Sequence, residues 1–171
     1  MINTLDSIDA CVFLGTLFEE NEQCDSFIAT IGYKLRNKGQ LTIPIIGEIF
    51  ANTFLKISEN IADHYERKSF IQKTVDFFDR VIMDLLKKDR LEITKMAAQD
   101  FQHIGRIKEL DYAITDDDAI HISSAIVKKC QRFITIDKVL LRPEFRSRIK
   151  KEPGIMPARK SASTFTCATR A

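Results

Sequence analysis

Four short apolar segments, separated by much longer stretches of helical periodicity, restrict the folds open to this chain. They lie near residues 4–8, 40–43, 91–94 and 132–137, the last running Arg132-Phe133-Ile134-Thr135-Ile136-Asp137. Each is short enough to be a strand, and the intervals hold one or two helices. The resulting order, β, α, α, β, α, α, β, α, α, β, predicts an α/β fold of three layers, α/β/α. Its centre is a mostly parallel, short-stranded sheet. In such sheets ligands collect beyond the carboxyl ends of the strands. The residues just past each segment therefore matter most.

Residues 22–36 put Phe27, Ile28, Ile31 and Leu35 on one side of a helix. Lys38-Gly39 ends it, Gly39 suiting the left-handed position after a helix. Pro44 opens the next helix in its first turn, where a missing N–H costs nothing. Ile45, Ile46, Ile49, Phe50, Phe54, Ile57 and Ile61 line that helix. From about Arg67 to Lys88, Ile71, Val75, Phe78, Ile82 and Leu85 recur in steps of four and three, which predicts one apolar stripe. This helical pair is long for a crossover, and it can extend from the sheet as a partner surface. Ala97, Phe101, Ile104 and Ile107 define a helix to about Leu110, with His103 off the stripe and facing solvent. Thr115 to Leu141 then holds a helix striped by Ala119, Ile122, Ala125 and Ile126, followed by the last strand.

Four acids fall at comparable positions: Asp9 after the first strand, Glu48 after the second, Asp118 at the helix start before the last strand, and Asp137 after it. Asp9 sits between Ile8 and Ala10-Cys11-Val12-Phe13-Leu14, where a bare charge is costly to bury. Its other reading is a turn or cap aspartate before a helix at 10–18. Glu48 can instead lie on a polar edge and favour a helix N-terminus. Thr115-x-x-Asp118 also fits a capping box. Asp116 is an additional acid near the same helix start. Thr135 is either a plain strand residue or a hydrogen-bond partner for a carboxylate, and His121 reads as a packed helix residue. Carboxylates gathered at one sheet edge repel unless a cation joins them, and oxygen ligands favour Mg²⁺ or Mn²⁺ over zinc.

The composition is that of a globular protein: 171 residues, 44% hydrophobic and 29% charged. No apolar run approaches the ~20 residues of a membrane span. The start lacks the pattern of a signal peptide, so a cytoplasmic location is expected. Cys11, Cys24, Cys130 and Cys167 form no Cys-x-x-Cys pair, and Cys11 and Cys130 read as buried thiols rather than disulfide or zinc partners. No glycine spacing matches a phosphate-binding loop. The net charge of +2 divides unevenly: residues 142–171 hold eight basic and two acidic side chains. Such a tail can touch phosphates or simply be solvated.

The pieces Ile8-Asp9-Ala10-Cys11-Val12-Phe13-Leu14, Ile43-Pro44-Ile45-Ile46-Gly47-Glu48, Asp118-Ala119-Ile120-His121-Ile122-Ser123-Ser124-Ala125 and Phe133-Ile134-Thr135-Ile136-Asp137 together resemble the PIN-domain family. The likeness covers about residues 5–141 and is greatest to the VapC-type toxins of toxin–antitoxin pairs. It implies a PIN-like nuclease domain over 1–150; the basic tail over 151–171 has no counterpart in the family and reads as flexible from its small, polar and proline residues without periodicity. It implies a Mg²⁺- or Mn²⁺-dependent endoribonuclease that hydrolyses RNA phosphodiesters with metal-activated water. Asp9, Glu48, Asp118 and Asp137 would be its catalytic and metal-binding acids, with Asp116 as a possible addition. It also implies a homodimer and a protein antitoxin. Two alternatives remain open: a catalytically idle RNA- or protein-binding module, and a PIN nuclease of RNA processing rather than a toxin. A haloacid-dehalogenase phosphatase requires a second aspartate two residues after the first, where this chain has Cys11.

Overall fold

A computed structural model describes residues 5–19, 21–31 and 38–151, together with the backbone of 164–166. Among the described residues five strands form one sheet: β1 (Leu5–Ile8), β2 (Lys38–Thr42), β3 (Leu91–Thr94), β4 (Arg132–Ile134) and β5 (Thr164–Thr166). Their spatial order is β3-β2-β1-β4-β5, and every pair is parallel. The three-layer α/β/α expectation therefore holds, with no antiparallel strand among the described residues. β5 pairs Thr164–Thr166 with Arg132–Ile134, in a stretch whose sequence carries no strand pattern. The rest of the expected tail beyond Lys151 lies outside the described residues.

The helices are α1 (Ala10–Leu17), α2 (Glu22–Thr30), α3 (Ile43–Asn60), α4 (His64–Phe77), α5 (Met83–Lys87), α6 (Ile104–Leu110), α7 (Asp116–Val127) and α8 (Pro143–Lys151). Successive strand residues point to opposite faces. Ile134 accordingly joins the core of α1 to α5, while Phe133 joins that of α6 to α8. The chain winds outward from β1 in both directions, to β2 on one side and β4 on the other. The carboxyl end of β1 is thus the point where the winding reverses, the usual place for a ligand.

Two local expectations change. Gly39 does not end a helix but lies inside β2, paired with Asp6. A Cβ there would meet Ile8 Cδ1 at 2.8 Å and Leu91 Cδ1 at 2.9 Å, so a larger residue would force both buried side chains to shift. The single stripe expected over 67–88 is also broken. Ile71 and Val75 are exposed, and Thr74 and Phe77 are buried in their place. A π-turn over Phe78–Ile82 explains the change. Its extra residue per turn sets Phe77 above Ile82 on one face, where an unbroken helix would rotate them apart. Phe50 and Phe54 of α3 are exposed as well, with Phe50 stacked on Phe78 at 4.5 Å between ring centroids. Leu35 lies outside the described residues, and Ala97–Leu110 divides into a short 3₁₀ turn (Ala98–Phe101) and α6. Among the described residues no helix is long and apolar enough to cross a membrane.

Candidate metal centre

Three aspartates are buried among the described residues: Asp6, Asp9 and Asp100. Two have a cation built in. Arg132 Nη2 meets Asp6 at 2.5 Å, and Lys128 Nζ meets Asp100 at 3.0 Å. Asp100 also accepts from the Ala97 amide and the Ser124 hydroxyl. Asp9 differs. No lysine or arginine among the described residues pairs with it, and it faces the imidazole of His121 across 3.9 Å.

Asp9 occupies the N-cap position of α1, yet its side chain caps nothing. Its Oδ2 instead accepts from Thr135 Oγ1 at 2.7 Å and from Cys11 Sγ at 3.1 Å. The Thr135 hydroxyl also receives the Asp137 amide at 3.0 Å, which ties the loop after β4 to the end of β1. Thr135 is therefore a hydrogen-bond partner and not a plain strand residue. With Oδ2 held in this way, Oδ1 is directed at His121.

Glu48 enters from the second turn of α3. Its Oε2 is buried without a hydrogen-bond partner and lies 3.6 Å from His121 Nδ1, which is equally unpartnered. One ligand atom each from Asp9, Glu48 and His121 lie within 4.8 Å of one another. His121 is only 2% exposed. Leaving a buried polar atom unpaired costs roughly 1–3 kcal/mol, and this site leaves two facing each other. The cost is explained if the lone pairs of Glu48 and His121 are shared by an electrophile. Two carboxylates and an imidazole form a donor set that suits a divalent cation.

The electrostatics agree. Burial, opposed by the Thr135 and Cys11 hydrogen bonds, pushes the Asp9 carboxyl above its ordinary pKa. Glu48 is raised to about 7 by burial first, then by Asp9, Asp118, Asp117 and Asp137. Burial also holds His121 below its ordinary value despite the nearby acids. Negative charge is thus crowded around a neutral imidazole, and a cation would relieve it.

The remaining expected site residues are divided. Asp118 is near enough to raise both Asp9 and Glu48. It also completes a capping box with Thr115: Oδ2 accepts from Thr115 Oγ1 at 2.6 Å, and Thr115 Oγ1 accepts from the Asp118 amide at 3.1 Å. The capping-box reading of this residue holds, and its carboxylate adds negative charge beside Asp9 and Glu48. Asp137 adds to the charge at Glu48 while its Oδ1 accepts from the Val139 amide at 2.7 Å. Asp116 is turned outward and pairs with Lys108 at 2.7 Å. The residue missed in the sequence is His121. It is buried, as expected of a packed residue, but it packs against the acids. Its spacing of three from Asp118 puts both on one helical face, a signal available from sequence.

No family model and no curated protein matches the chain. Among solved structures it is similar to VapBC2 from Rickettsia felis bound to a DNA fragment from its promoter. The TM-score is 0.54 and the identity 14%, over 82% of this chain and 95% of that one. At that identity the likeness concerns the fold alone.

Proposed function

We propose that this chain is a divalent-cation-dependent endoribonuclease of the PIN type and the toxin of a toxin–antitoxin pair. One observation carries the reading: Asp9, Glu48 and His121 converge at the strand-winding reversal with two buried lone pairs left unbonded. When bound, a divalent cation there acidifies water and offsets the charge on a phosphodiester. Thr135 and Cys11 hold one oxygen of Asp9 and so fix the direction of the other. Glu48 turns Oε2 inward while its side chain remains a third exposed, so it can orient a water entering from solvent and take its proton. In-line attack by that water on phosphorus breaks the bond to the 3′ oxygen, leaving a 5′-phosphate and a 3′-hydroxyl.

A groove of about 770 Å³ adjoins the cluster, beginning at Cys11 and Ile136 and running past Asn52, Lys56 and Lys138. Its lysines and amide suit a polyanionic strand. The exposed Phe50, Phe54, Ile71 and Val75 support contact with a protein, either a second copy or an antitoxin. A cytoplasmic setting is consistent with this activity.

The test is cleavage of a single-stranded RNA by the purified protein. Cutting is expected with Mn²⁺ or Mg²⁺, no cutting with EDTA, and loss in Asp9→Asn and Asp118→Asn. RNA that is retained in a gel shift but never cut under any of these conditions would identify a binding module instead.

A further inference from the structure

His121 contributes the one nitrogen in a group that is otherwise carboxylate. Its Nδ1 stands 3.6 Å from Glu48 Oε2 and 3.9 Å from Asp9 Oδ1. Both separations exceed a hydrogen bond, and the nitrogen has no other partner. Ligand atoms held at about 2.0–2.2 Å from one ion stand roughly 3–3.5 Å apart, so a small contraction would bring all three onto one cation. The side chain is almost fully buried, on a helix packed by Ala119, Ile122 and Ala125, so it cannot turn away to find water.

We propose that His121 Nδ1 is itself a ligand, and that the site therefore takes a first-row transition ion such as Mn²⁺ in preference to Mg²⁺. This rests on reading the cluster as a cation site, and it goes further by naming a nitrogen ligand and the selectivity that follows. Mg²⁺ binds through oxygen and keeps its waters, gaining little from an imidazole. Transition ions accept imidazole readily, and a nitrogen donor raises their affinity relative to Mg²⁺. A purely carboxylate site would hold the two ions with less distinction.

Pulsed EPR on the full chain with one equivalent of Mn²⁺ reads the ligand directly. The expected spectrum carries ¹⁴N modulation from a coordinated imidazole. It should convert to the ¹⁵N pattern when only histidine is labelled, and vanish in His121→Gln. Competition should need at least tenfold more Mg²⁺ to displace Mn²⁺ from the wild type than from His121→Gln. The labelling arm uses the unaltered protein, so a variant that fails to fold does not spoil the result. Mn²⁺ bound with no nitrogen modulation would overturn the ligand assignment and leave the nuclease reading standing. No Mn²⁺ bound at all would overturn both.

Discussion

Thr135 Oγ1 donates to Asp9 Oδ2 across 2.7 Å, joining the loop after β4 to the carboxyl end of β1. This bond lowers the Asp9 pKa against the upward push of burial, so it keeps charge available in an apolar setting. Thr135→Val removes the donor, leaving Asp9 Oδ2 with the weaker Cys11 thiol bond alone and the Asp137 amide without the hydroxyl it donates to. The expected loss is about 1–3 kcal/mol of stability, measured by urea denaturation. Thr135→Ser, which keeps the hydroxyl, should recover most of it.

Glu48 gives the apoprotein a defined response to pH. Its folded pKa, about 7, lies above its ordinary 4.5, so the folded state binds this proton more tightly than the unfolded one. That contribution is fully present below pH 4.5 and is lost as the pH rises through 7. Burial shifts His121 the other way, so its contribution is present above 6.5 and lost as the pH falls. The two slopes oppose each other, and comparison of Glu48→Gln with the wild type isolates the first. A third of the Glu48 side chain remains exposed, and solvent screening reduces the effect to about 1–2 kcal/mol. In EDTA at pH 8 the variant should be the more stable by that amount, with little difference at pH 4.5. Saturating Mn²⁺ should reverse the order at pH 8, because the ion stabilises the chain that binds it.

The parts of the site that were legible in sequence are those where one residue breaks a pattern. Asp9 interrupts an apolar run, and the Asp116–Asp118 cluster opens a helix whose stripe is regular. His121 interrupts nothing. One turn after Asp118, an imidazole fits a packed helix as well as a ligand set, and its role depends on β1 and α3 arriving beside it. The strands were legible because each is short and bounded by helical periodicity. The inward face of α4 was not, since the π-turn at Phe78–Ile82 resets the helical phase and no composition marks it. β5 was illegible for a different reason: its pairing comes from the exposed edge of β4 and not from any apolar alternation of its own.

Asp118 combines a cap with a place beside the acids, and the two can be separated. Thr115→Ala removes the hydroxyl that accepts from the Asp118 amide but leaves the carboxylate. It should cost about 1 kcal/mol of stability, as for other lost N-caps, while cation affinity stays within about threefold. Asp118→Asn should cost less stability but weaken Mn²⁺ binding more than about tenfold, a loss of over 1.4 kcal/mol. Calorimetric titration with Mn²⁺ and thermal denaturation of the two variants distinguish these outcomes. Equal affinity losses in both would make the cap itself the element that matters.

On the proposed nuclease reading, the groove beside the cluster predicts how RNA is held. Lys138 follows Asp137 directly, and Lys56 Nζ lies 4.0 Å over the Phe18 ring; both place positive charge on the groove wall, which also carries Glu59. Cations here counter the repulsion that a phosphate backbone meets on approaching Asp9 and Glu48. Each phosphate contact releases condensed counterions and adds about 0.7 to the slope of log affinity against log salt for a single strand. In EDTA, where binding is uncoupled from cutting, Lys56→Ala and Lys138→Ala should each weaken binding and reduce that slope by about this amount. Lys68→Ala, on the outer face of α4, should leave the slope unchanged. Fluorescence anisotropy of a labelled single-stranded RNA over a salt series measures all three. Should Lys68→Ala change the slope and the groove variants not, the strand must cross α4 instead, and the groove loses its role.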